Sequence, residues 1–224
     1  MLIRKKRKLG EFYEEINGYV SYDSYDYYEY ADIIFNNLTR RYIGLFNKLK
    51  NLTDDEKEVV RQVNEVYQEV DELTRKYLLI LLKKIYKKVI ERLDVEDVVD
   101  TVYELWLMKV LEGYDPVTKY VYIHEVDRKR ARTIESIIAS DNKPKEVETA
   151  KKQWSKQAKQ YADNIVQVAV DHAFEEAGIQ EVIWRTEEDL RVCPVCEERD
   201  GVIYPFDDYP SKPHYGCRCW VEPL

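Results

Sequence analysis

The sequence predicts an α+β protein: an elongated, mostly α-helical body followed by a small β-hairpin module at the carboxyl end. Three observations predict it. Apolar residues recur at helical spacing from about Asp32 to Gly178. After Gly178 the pattern changes to short β-rich runs separated by turn residues. All 4 cysteines then fall in the last 32 residues, between Cys193 and Leu224. At 224 residues the chain is long enough to bury one principal core, whereas the last 44 residues are too few to bury a substantial core of their own. We therefore divide the chain into an arm (1–30), a helical body (31–180) and a terminal module (181–224).

The arm is biased in composition and not periodic. Arg4, Lys5, Lys6, Arg7 and Lys8 precede a stretch in which Glu11, Glu14, Glu15, Asp23, Asp26 and Glu29 interleave with Tyr13, Tyr19, Tyr22, Tyr25, Tyr27, Tyr28 and Tyr30. So many charges leave little apolar surface to offset the entropy of ordering, so a solvated tail is expected; tyrosines used as amphipathic anchors on a partner are the alternative.

In the body, Thr53-Asp54-Asp55-Glu56 reads as a capping box opening a long helix. Val59, Val63, Val66, Val70, Leu73, Tyr77 and Ile80 then alternate at intervals of four and three, one apolar stripe along a helix reaching about Arg92. Asp94 is placed to cap the next helix, whose Val98, Val99, Val102, Leu105, Trp106, Val110 and Leu111 lead to a glycine stop at Gly113. A further helix is expected from about Val117 to Ser140. Asp141-Asn142-Lys143-Pro144 turns into a last one, carrying Val147, Ala150, Trp154, Ala158, Tyr161, Ile165, Val168 and Phe174. In the module, Val182–Thr186 and Val202–Tyr204 read as two strands, with Asp200-Gly201 as a turn between them.

The net charge of −8 opposes a surface that coats nucleic acid or an anionic membrane, so any such contact is local. The basic amino end is not followed by an apolar stretch, so export is not expected, and no run is long enough to span a membrane. Such a chain belongs in a reducing compartment, where thiols favour metal over disulfide.

Cys193-Pro194-Val195-Cys196 and, about twenty residues on, His214-Tyr215-Gly216-Cys217-Arg218-Cys219 offer five metal ligands. A Cys-x-x-Cys pair aims two thiolates at one point, and the second cluster can complete a tetrahedral zinc site, a structural cofactor for a module without a core. Four of Cys193, Cys196, His214, Cys217 and Cys219 suffice. Cys193, Cys196, Cys219 and His214 are a first choice, with Cys217 as substitute because Cys217 and Cys219 crowd one another. The pattern does not match catalytic zinc signatures. Deaminases need a His-x-Glu or Cys-x-Glu ahead of Pro-Cys-x-x-Cys, and zinc proteases need His-Glu-x-x-His. His124 and His172 fall on expected helices, where structural roles suit them. Trp184, Tyr204, Phe206 and Trp220 suit packing around the site, and the acidic Glu197, Glu198, Asp207 and Asp208 offset Arg191, Arg199 and Arg218.

The run Trp184-Arg185-Thr186-Glu187-Glu188-Asp189-Leu190-Arg191-Val192-Cys193-Pro194-Val195-Cys196, then Asp200-Gly201, then Pro213-His214-Tyr215-Gly216-Cys217-Arg218-Cys219, resembles the carboxyl-terminal domain of phage Mu protein F-like minor head proteins, the phage head morphogenesis family. The resemblance covers about the last 45 residues, while the first 140 match only in being helical. It implies that Cys193, Cys196, His214, Cys217 and Cys219 are metal positions, and that Trp184, Thr186, Asp189, Asp200, Gly201, Pro213 and Arg218 form the structural motif. It further implies a non-enzymatic structural protein of a tailed-phage or prophage virion, present in few copies at the portal vertex or capsid interior and in the host cytoplasm during assembly. Its partners would be the portal protein and the major capsid or scaffolding protein, with local contact with DNA during passage and neither membrane nor small-molecule substrate. Some relatives carry toxin or transferase domains fused to this module; none is expected in the five residues after Cys219. The alternative from another class is a zinc-dependent nuclease or other DNA-processing enzyme.

Overall fold

The computed structural model describes residues 27–96, 100–113, 121–186, 192–214, 217 and 219–224. Among the described residues, five helices form the body: α1 (Tyr27–Asn47), α2 (Glu56–Leu93), α3 (Asp100–Glu112), α4 (Tyr122–Ala139) and α5 (Lys143–Glu176). The module follows as β1 (Glu181–Arg185), a short helix α6 (Pro194–Arg199), β2 (Ile203–Pro205), one 3-10 turn (Phe206–Asp208) and β3 (Trp220–Pro223). The class is α+β.

α2 and α5 are the axis of the body, with 38 and 34 residues, or about 57 and 51 Å at the α-helical rise. They pack on each other, and α1 and α4 each lie against both. The centre is aromatic. Trp154 of α5 is fully buried, with Tyr67 of α2 and Tyr122 of α4 edge-on at 6.1 and 6.2 Å; Phe46 of α1 meets Tyr67 at 5.8 Å. Buried tyrosines need partners for their hydroxyls. Here Tyr67 pairs with Thr133 (2.8 Å), Tyr42 with Thr74 (2.5 Å), and Tyr122 donates to Asp71 (2.7 Å). Each of these three bonds joins two helices.

The boundaries refine the expectations. Helix α1 starts at Tyr27, inside the span assigned to the arm, and Tyr30 is buried to 1% exposure beneath Lys88, whose ammonium lies 4.4 Å from its ring centre. The arm residues 1–26 lie outside the described residues. The cap of α2 is Asp55 and not Thr53. The Asp55 carboxylate accepts from the Lys57 amide at 2.9 Å, while the Lys143 ammonium takes the Thr53 carbonyl and the Asp54 carboxylate, closing the start of α2 onto the start of α5. Asp94 does not cap the helix after it. It ends α2 in the left-handed region (φ 57°), and its N–H donates to the Ile90 carbonyl, a conformation that Asp tolerates better than most residues. The stripe on α2 also broadens. Beyond Tyr77 the buried positions are Leu78, Leu81, Leu82, Ile85, Tyr86, Val89 and Ile90, because α2 is covered from several sides.

Asn142 caps α5, accepting from the Lys145 amide at 3.2 Å with Pro144 in the first turn. The helix ends before Gly178 (φ 68°), where Ile179 donates to the Phe174 carbonyl at 3.0 Å. Among its described residues the module holds three strands instead of the expected two, antiparallel in the order β2-β1-β3. Val182 faces Tyr204 on one side and Pro223 on the other, and Trp184 faces Val221. Val182, Trp184 and Val221 are the buried residues of the sheet. β3 escapes sequence reading because its four residues follow the Cys217–Cys219 cluster directly, without a turn signal.

Candidate metal centre

Pro194 fixes the first turn of α6, and this turn brings Cys193, just before the helix, near Cys196 within it. Cys193 is the residue before the helix, and its carbonyl accepts from the amides of Cys196 and Glu197, both at 3.0 Å. The second strand of ligands arrives from the loop before β3, where the Cys217 amide donates to the His214 carbonyl at 3.3 Å. Asp200-Gly201 reverses the chain between the two parts. Gly201 has a φ of 74°, which a side chain would resist, and its N–H donates to the Trp184 carbonyl at 2.9 Å. The Asp200 carboxylate accepts from the Thr186 amide at 2.9 Å. Trp184 lies beneath this turn, buried, with the Arg199 guanidinium 5.1 Å above its ring.

The sulfurs of Cys196, Cys217 and Cys219 lie within 4.8 Å of one another, and those of Cys196 and Cys217 are 3.4 Å apart. All three residues are buried. A tetrahedral ion with metal–sulfur bonds of about 2.3 Å places its sulfurs about 3.8 Å apart, so these three thiols fit one ion. Cys217 and Cys219 thus reach the same point, and the single residue between them does not keep one away. Cys193 is half-buried and hydrogen-bonds to both the Cys196 thiol and the His214 imidazole. Neither Cys193 nor His214 joins the three sulfurs within that 4.8 Å, so the structure brings together three of the five expected ligands and leaves these two beside them. Pro213 and His214 are exposed. Asp189 and Arg218 lie outside the described residues.

The protonation pattern shows why an ion suits this group. Hydrogen bonding from Cys219 leads the forces pulling the Cys217 thiol down to about 5, against the opposing effect of burial. Cys219 is pushed well up in turn, first by that same hydrogen bond, and burial pushes Cys196 up to about 12. Burial also works against ionisation of Cys193, but hydrogen bonds from Cys196 and His214 outweigh it and lower its pKa. One thiolate forms readily and suppresses the next, and a divalent cation removes that penalty.

The sequence reading placed Phe206 and Trp220 around the site but missed the polar groups there. The segment after β2 runs back along α5: Phe206 packs on Phe174 (6.1 Å between centroids), and the Tyr209 hydroxyl donates to Asp171 at 2.6 Å and accepts from Gln167 at 2.6 Å. The Lys212 ammonium then donates to the Cys217 carbonyl at 3.2 Å. Burial raises the carboxyls of Asp163 and Asp171 to about 6 and lowers Lys212 to about 8. A cavity of about 490 Å³ lies here, lined by Asp163, Asp171, Tyr209, Lys212, Cys217 and Trp220 among others. One signal was available: Asp163, Gln167 and Asp171 recur every four residues on α5, a polar row beside its apolar stripe.

His172 is on the body, stacked on Trp106 at 3.9 Å, with its Nδ1 3.4 Å from Glu175. His124 is exposed on α4. Among the described residues no helix is long and apolar enough to cross a membrane. Comparison of the chain with protein-family models, with curated proteins and with solved structures finds no match. Fold and site together define an α+β protein with a long-helix body and a terminal thiol cluster able to hold a metal ion.

Proposed function

We propose that this chain is a structural, non-enzymatic minor head protein of a tailed phage or prophage, docking at the portal vertex and acting in head morphogenesis, with its terminal module stapled by zinc. The observation that carries the reading is the convergence of the motif's cysteines. Cys196, Cys217 and Cys219 gather at one point, with Cys193 and His214 beside it, in the segment whose pattern resembles the Mu F-like minor head proteins. Zinc is the ion such a thiol-rich, tetrahedral donor set favours. A full set of four protein ligands closes the coordination sphere to water, which suits a staple and opposes hydrolytic chemistry. The long body supplies the docking surface for the portal protein, and for the major capsid or scaffolding protein; contact with DNA in passage would be local.

Two measurements test this. Elemental analysis of the purified chain should give one zinc per molecule, and electron cryo-microscopy of particles from its source should place a few copies at the portal vertex. Absence of bound zinc, or particles that lack the chain altogether, would overturn the proposal. So would metal-dependent cleavage of duplex DNA by the pure protein.

A further inference from the structure

We infer that Lys212 is a positioning residue of the metal centre, supplying the positive charge that balances a thiolate-bound ion. The inference rests on the metal reading above and goes beyond its ligands.

The charge count makes the need explicit. A divalent ion held by three thiolates and an imidazole carries a net charge of about −1, and by four thiolates about −2. Cys196, Cys217 and Cys219 are buried, so that excess sits where water screens it poorly, and a buried charge is costly unless it is paired. Lys212 meets the requirement. Its ammonium donates to the Cys217 carbonyl at 3.2 Å, and Lys212, Cys217 and Cys219 line one cavity. Asp163, on the row of α5 that also holds Gln167 and Asp171, lines the same cavity and lies 3.6 Å from the Lys159 ammonium. Among the described residues, Arg199 is engaged elsewhere, over Trp184 and on the Ser211 carbonyl (3.0 Å). Pro213 lies between Lys212 and His214, and a proline holds the residue before it in extended backbone, which limits the freedom of this lysine to turn away.

Three variants of the full chain separate charge from simple loop support. Lys212→Arg keeps the charge, Lys212→Gln keeps an N–H donor for the Cys217 carbonyl without charge, and Lys212→Met keeps neither. Zinc affinity is measured by competition with a chromophoric chelator, and cobalt substitution reports the thiolate-to-metal absorption band. Lys212→Met and Lys212→Gln should both weaken zinc binding, by about 10- to 100-fold as is usual for groups that support metal ligands, and should shift the cobalt band, while Lys212→Arg stays near wild type. Lys212→Gln binding as tightly as wild type would reduce the lysine to a hydrogen-bond donor and overturn the inference. Equal affinity in all variants would overturn it too, leaving the metal reading intact; a wild-type chain that binds no zinc would remove both. If Lys212→Met fails to fold its module, the Gln and Arg pair still decides.

Discussion

The body and the terminal module solve the same problem by opposite means. The body orders its chain by burying large side chains: Trp154 touches Tyr67 and Tyr122, and hydroxyl bonds from buried tyrosines lock α1 to α2, α2 to α4 and α4 back to α2. The module buries only Val182, Trp184 and Val221 from its three short strands, while Ile203 of β2 stays 53% exposed. That is too little apolar surface to offset the backbone entropy of some forty residues. What it has in place of a core is a buried thiol cluster and a segment, Phe206 to Lys212, laid along α5. The lesson is that one region should survive loss of the metal and the other should not.

The largest expected effect tests that separation directly. Replacing Cys193 and Cys196 together by serine should abolish zinc binding and unfold the module, removing metal-linked stabilisation on the order of 10 kcal/mol, while the far-ultraviolet helical signal of the body persists. Loss of the helical signal as well would mean that the body depends on the module. The converse is Trp154→Ala, which empties the aromatic centre and should lower the unfolding free energy of the body by about 3–5 kcal/mol in urea titrations, with zinc affinity unchanged. A parallel drop in zinc affinity would tie the two regions together.

The seam between them carries a pH dependence. Burial first, partly relieved by hydrogen bonds from Tyr209 and Gln167, leaves the Asp171 carboxyl at about 6, above its ordinary 3.8, with Lys212 and Glu175 as its charged neighbours and Tyr209 as its titratable partner. The protonated form therefore favours the folded state. That contribution is complete below about pH 4 and is lost as pH rises through about 6. Asp171→Asn, which cannot ionise but can still accept from Tyr209, should gain stability relative to wild type as pH rises from 5 to 8, by about 1–1.5 kcal/mol. A difference that does not vary with pH would show that Asp171 is solvated and that the seam is loose. The smallest effect lies within the body: Asp55→Ala should cost about 1 kcal/mol and Thr53→Ala far less, since the Asp55 side chain makes the capping bond to Lys57.

How legible each part was follows from which forces are local. The helix pattern of α2, α3 and α5 stood out because apolar spacing and glycine or proline punctuation act within a few residues, as at Gly113, Pro144 and Gly178. The caps of α2 were misplaced because both Thr53 and Asp55 satisfy the local rule, and it is Lys143, 90 positions away, that occupies the Thr53 carbonyl. α6 was hidden inside the Cys-x-x-Cys pair, whose metal-ligand spacing masks a short helical turn. The five metal-ligand candidates were readable as residues, and the choice among them was not.

The sequence by itself determined the α+β class, the long helices, the glycine turn at Gly201 and the identity of the thiol cluster, because periodicity, backbone sterics and ligand chemistry are all written in neighbouring residues. Only the tertiary structure decided that Cys217 joins Cys196 and Cys219, that a third strand closes the sheet, and that Lys212 and Asp163 line one cavity with Cys217. Those outcomes depend on which distant segments meet when the chain folds back along α5, and contacts between groups roughly twenty to fifty positions apart leave no periodic trace.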